Sequence, residues 1–169
     1  MPLRTTKHWF GVVLDCPDAS ELARFYARLL GWTLYKDTPA WATLAPSADA
    51  GYNLAFQQEP HYVEPVWPSR PGEPLMMSHL DLKVDDLDEA TAYAVEVGAR
   101  LASFQPQEDV RVLLDLAGHP FCLYVDAEGS EGSEGSEGSE GSEGSEGSEG
   151  SEGSEGSEGS EGSEGSEAR

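Results

Sequence analysis

Two stretches, Asp18–Gly31 (DASELARFYARLLG) and Asp86–Gly98 (DLDEATAYAVEVG), decide the fold of this chain. In the first, Leu22, Phe25, Tyr26, Leu29 and Leu30 recur at helical spacing, with Glu21, Arg24 and Arg28 on the opposite side. Asp18 suits the N-cap, Glu21 follows three residues later, and Gly31 takes the left-handed conformation that stops a helix. The second stretch repeats this punctuation: Asp86 caps, Glu89 follows, Ala90, Tyr93, Ala94 and Val97 make the stripe, and Gly98 stops it. An apolar strand precedes each helix, WFGVVLD (Trp9–Asp15) and MSHLDLKV (Met77–Val84), and two β-like runs and a closing strand follow each. The closing strands match, because AGYNLAF (Ala50–Phe56) lies 67 residues before AGHPFCL (Ala117–Leu123). The pattern predicts an α+β fold of two βαβββ modules, about residues 8–58 and 76–126. A linker over 59–75, containing the proline-rich HYVEPVWPSRPGEP (His61–Pro74), joins them.

Outward from these modules the composition changes abruptly. Of the 169 residues, 128–166 are Glu-Gly-Ser repeated thirteen times, followed by Glu-Ala-Arg. Residues 1–127 are therefore the expected domain, and 128–169 are expected to be a disordered, solvated acidic tail without chemistry. The tail carries 14 of the 32 acidic residues, so the net charge of the body is −9 where the whole chain has −22. An acidic body argues against nucleic acid and against anionic membrane as partners. No apolar run reaches membrane-spanning length, and Met1-Pro2-Leu3-Arg4 lacks a signal-peptide core, so a cytoplasmic location is expected. Cys16 and Cys122 are too few for a disulfide framework.

The wording of three motifs adds a family. FGVVLDCPDASELARFYARLLGW (Phe10–Trp32), HLDLKVDDLDEATAYAVEVGAR (His79–Arg100) and LLDLAGHPFCLYV (Leu113–Val125) resemble the vicinal oxygen chelate superfamily. More narrowly, they resemble its glyoxalase-like, bleomycin-resistance-like branch, over about residues 8–125. The resemblance implies two modules side by side whose sheets curl into a cup for a small ligand or metal, within a homodimer. Metal-dependent members take ligands from four equivalent places, which fall here on Gly11, Ala55, His79 and Cys122. Gly11 and Ala55 carry no donor atom, so no standard metal site and no cofactor are expected. Any divalent ion would rest on His79 and Cys122, with Asp81 or His119 as a further ligand.

Strand alternation sorts the side chains. Leu80, Leu82 and Val84 face the helix and leave His79, Asp81 and Lys83 toward the cup. Phe10, Val12 and Leu14 do the same in the first strand, leaving Gly11, Val13 and Asp15 inside, where Asp15 is placed to pair with Lys83. Asn53, Ala55 and Gln57 share one face, as do Cys122 and Tyr124. His79 with Asp81 as its orienting carboxylate is a candidate acid–base pair. Cys122 with His79 as a nucleophile lacks any recognisable oxyanion hole.

Aromatic side chains, among them Trp9, Trp41, Trp67, Tyr52 and Tyr124, are numerous on or near these strands. The expected ligand-binding set is Trp41, Asn53, Gln57, Trp67, His79, Asp81 and Tyr124, around a small aromatic or cationic molecule. The alternatives are an enzyme, either a metal-dependent lyase, isomerase or dioxygenase using His79 and Cys122 or a metal-free acid–base catalyst using His79, and a dimeric scaffold whose cup is filled by its own side chains.

Overall fold

A computed structural model describes residues 8–126; the expected tail at 128–169 lies outside the described residues. Module one runs β1 (Phe10–Cys16), α1 (Ala19–Leu30), β2 (Thr33–Thr38), β3 (Trp41–Ala45) and β4 (Tyr52–Gln58). Module two runs β5 (Leu80–Lys83), α2 (Leu87–Glu96), β6 (Arg100–Leu101), β7 (Val110–Leu114) and β8 (Pro120–Tyr124). Each module forms one four-stranded mixed sheet with the same order, β1-β4-β3-β2 and β5-β8-β7-β6. In both, the first strand pairs in parallel with the closing strand, Val13 opposite Ala55 and Asp81 opposite Cys122. No helix of the described residues is long and apolar enough to cross a membrane.

The helix signals act as read. The Asp18 carboxylate accepts from the Glu21 N–H at 2.9 Å, and Asp86 accepts from the Glu89 N–H at 2.8 Å. Gly31, at φ 67°, ends α1 in the left-handed region that a Cβ would strain. The modules differ in depth. α1 buries Leu22, Ala23, Phe25 and Tyr26 fully, whereas α2 buries only Ala94. Tyr93, expected in the α2 stripe, is 44% exposed and donates its hydroxyl to the Arg28 carbonyl at 2.9 Å. Phe10 also departs from expectation: it is 69% exposed, because the helix covers β1 only from Val12 onward.

One core runs through both modules. Tyr26 stacks on Phe56 at 5.5 Å between centroids and meets Phe121 of β8 edge-on at 6.2 Å. Phe25 reaches the same Phe121 at 6.3 Å. Burying a side chain of this size contributes about 1.5–3 kcal/mol.

The core also encloses a carboxyl group. Asp115 is completely buried in the turn between β7 and β8. Its Oδ2 accepts from the Tyr26 hydroxyl at 2.9 Å and lies 2.8 Å from His119 Nδ1. Its Oδ1 accepts from the backbone N–H groups of Ala117 and His119, both at 2.9 Å. Four partners satisfy a carboxylate that water cannot reach. Gly118 in that turn has φ +84°, and a Cβ there would overlap the Glu64 side chain, which packs over it from the linker. Replacing Asp115 by Ala orphans these donors and should cost about 3–5 kcal/mol. We expect Asp115→Ala to lower the melting temperature by roughly 10 °C or more, measured by calorimetry.

Candidate functional site

The polar and aromatic side chains gather in three places. The first lies on the sheet of module one, on the face away from α1. Trp9, Tyr35, Thr43, Ala48 and Asn53 line a pocket of about 330 Å³ there. Gly11 and Asn53 are partners in the β1–β4 ladder, and a Cβ on Gly11 would sit 2.9 Å from Asn53 Oδ1. The missing side chain at Gly11 is thus the space the Asn53 amide occupies. Trp9 Nε1 donates to that same Oδ1 at 2.6 Å, which orients the indole over the strand pair. This bond leaves the Asn53 amide nitrogen without a protein partner among the described residues, as a donor for a guest.

The second place is its counterpart on module two. His79, Asp81 and Cys122 each offer a ligand atom, all within 4.8 Å of one another. His79 Nε2 stands 3.3 Å from Asp81 Oδ1. His79 precedes β5 rather than lying within it, because the strand begins at Leu80. Asp81 and Cys122 are ladder partners. Burial pushes the Cys122 thiol up to about 11, helped by the Asp81 charge and by the hydrogen bond the thiol donates to Asp81. At neutral pH Cys122 is therefore a thiol rather than a thiolate nucleophile.

The third place lies between the modules. Tyr62 of the linker donates its hydroxyl to the Ala117 carbonyl at 2.7 Å and lies 3.1 Å from His119 Nε2. His119 is thus held from both sides, by Asp115 and by Tyr62. It stands apart from the donors around His79, which it does not join. A cavity of about 250 Å³ opens beside it, bounded by Val13, Asp15, Tyr62 and Met76.

The expected ligand set divides among these regions. Asn53 lines the first pocket, and Trp41 and Gln57 are ladder partners farther along the same sheet. His79 and Asp81 sit with Cys122, while Tyr124 lies one alternation beyond Cys122, opposite Lys83. Trp67 is engaged in packing: its Nε1 donates to the Phe104 carbonyl at 3.2 Å, with the rings 6.3 Å apart. That contact supplies the packing partner the linker sequence did not reveal. The Asp15–Lys83 pair does not form. Lys83 instead bonds Asp126, two residues past the end of β8, the strand paired with its own, and Asp15 faces the inter-module cavity. Sequence reasoning passed over Tyr35, Thr43, Tyr62 and Asp115. Thr43 alone was within reach, since it shares a strand face with Trp41 two residues away.

Paired βαβββ sheets with ligand-type residues at the strand positions facing away from the helices define the class. The glyoxalase-like domain family matches residues 11–124, and the chain belongs to that family, within the vicinal oxygen chelate superfamily. A glyoxalase/bleomycin resistance protein/dioxygenase family enzyme from Burkholderia phytofirmans PsJN is similar at a TM-score of 0.50 and 16% identity, over 68% of this chain and 95% of that one. A glyoxalase family protein from Enterococcus faecalis gives 0.50 and 19%, over 69% and 94%. A protein of Agrobacterium tumefaciens solved by NMR gives 0.51 and 20%, over 73% and 99%. These identities speak for the fold. No curated protein matches the chain.

The superfamily's shared metal arrangement does not fit here. Gly11 and Ala55 offer no donor, and the Asn53 amide already fills the space over Gly11. The three donors of module two form a different set. The state of its sulfur is open to measurement. Iodoacetamide should modify Cys122 slowly at pH 8, with the rate climbing toward pH 11. Asp81→Asn should raise the rate at pH 8, because removing that charge and acceptor lowers the thiol pKa.

Proposed function

We propose that this protein binds a small planar molecule, aromatic and neutral or cationic, in the module-one pocket, without a metal of the superfamily's usual kind. The observation that carries the reading is the Trp9–Asn53 pair over Gly11, an oriented indole beside an amide with donors to spare. A flat guest on Trp9 and Tyr35 would gain stacking and apolar burial, and Asn53 and Thr43 would fix its orientation. The acidic balance of the chain, −22 in all, draws cationic guests toward the surface. Titration of quinolinium and naphthalene derivatives against tryptophan fluorescence tests this. We expect saturable quenching that Trp9→Ala abolishes, and an affinity about tenfold weaker in Asn53→Ala. Unchanged affinity in both variants would remove the assignment.

A second reading rests on His79, Asp81 and Cys122. One imidazole, one carboxylate and one thiolate suit a borderline ion such as zinc, with a coordination position left open. A bound ion would serve there as a Lewis acid toward an oxygen ligand, in keeping with an enzyme. Without one, His79 with Asp81 remains the acid–base pair of a metal-free catalyst. Metal analysis of the full chain purified without chelators distinguishes these. One equivalent of zinc, iron, nickel or manganese lost in His79→Ala would favour the metal reading. Because both proteins carry the same acidic tail, ions held by its carboxylates cancel in that comparison.

A further inference from the structure

We propose that the cavity between the modules is a separate binding site for a small organic ammonium ion. Its walls come from both modules and the linker: Val13 and Asp15 of β1, Tyr62 and Val63, Met76 of the segment before β5, and His119. At about 250 Å³ it lies just below the usual range of ligand pockets, so the guest is small.

Charge selects its sign. Among the described residues, Asp15 is the one carboxylate on the wall, no Lys or Arg lines it, and Asp15 has no ion-pair partner. The neighbouring acids are already matched: Glu64 pairs with Arg100 at 2.7 Å, and Asp115 with His119 and Tyr26. Burial raises the pKa of the Tyr62 hydroxyl first, and the nearby carboxylates, Asp15 among them, raise it further.

Apolar surface selects the rest of the guest. Val13, Val63, Leu75 and Met77 border the cavity and are 48%, 65%, 58% and 91% exposed. Such a cluster beside the Asp15 carboxylate suits an ammonium group with a short hydrocarbon arm. An anionic guest would meet Asp15 with like charge, and a neutral one would desolvate Asp15 without pairing it. Tyr62 can add a cation–π contact, and the methionines adapt to the arm. This site stands independently of the aromatic pocket on module one.

The test is calorimetric titration of the full chain with hexyltrimethylammonium, 1-hexanol and hexanesulfonate, in about 0.15 M salt to screen the tail carboxylates. The ammonium should bind once per chain, more tightly than hexanol, and the sulfonate should not bind. Asp15→Asn, at an exposed position where folding is indifferent to the change, should weaken the ammonium about tenfold and leave hexanol unaffected. Absence of saturable ammonium binding, equal affinity in Asp15→Asn, or hexanol binding as tightly as the ammonium would each overturn the proposal. So would a dimer in sedimentation that Met77→Asp dissociates, since the apolar rim would then belong to an interface between copies.

Discussion

The structure depends on a single buried carboxylate. Asp115 has no access to water, and it is stable there only because Tyr26 from the first module, His119 and two backbone N–H groups of its own turn supply its hydrogen bonds. The sheets are separate ladders, so no backbone bonding joins the modules through a common strand pair. What joins them in the core is the aromatic contact of Phe25 and Tyr26 with Phe121 and the buried Tyr26–Asp115 bond, with the exposed Tyr93–Arg28 bond added between the helices. A hydrogen bond in that setting has an orientation requirement that apolar packing lacks. The turn closes on its own backbone bonds, and the carboxylate that meets Tyr26 also holds His119, which lines the inter-module cavity.

The two modules repeat one backbone and carry opposite chemistry. Gly11 corresponds to His79, Val13 to Asp81 and Ala55 to Cys122, with the same parallel register between first and closing strand. On module one these positions are stripped of donors, and Asn53 with Trp9 takes the space. On module two they hold an imidazole, a carboxylate and a thiol within reach of one ion. A site of the superfamily's usual kind draws on both halves. Here the two halves carry different side chains at matching positions, and the strand frame tolerates this because side chains facing away from the helices contribute little to the core.

Burial explains why some residues were legible and others were not. The helices, their caps, the repeat and the strand faces follow from local rules, in which a residue's neighbours within a few positions settle its environment. Asp18 and Asp86 cap because their side chains reach an N–H three residues away. His79, Asp81 and Cys122 fall on one face because alternation and the repeat place them there. Tyr62 and Asp115 carry no such signal. The Tyr26–Asp115 bond spans 89 positions, and the Tyr62–Ala117 bond spans 55. Lys83 shows the same limit in reverse, since alternation aligned it with Asp15 while its side chain bonds Asp126 just beyond β8.

The sequence by itself determined two βαβββ modules, their family, the ends of the helices, and the absence of donors at Gly11 and Ala55. These are properties of residue type and short-range spacing, which the chain carries into any tertiary setting. Only the tertiary structure decided that Trp9 and Asn53 form one polar pair over Gly11, that Trp67 packs on Phe104, and that a cavity lined by Asp15 opens between the modules. Each of those depends on which distant segments share a surface, and the packing of the whole core settles that choice.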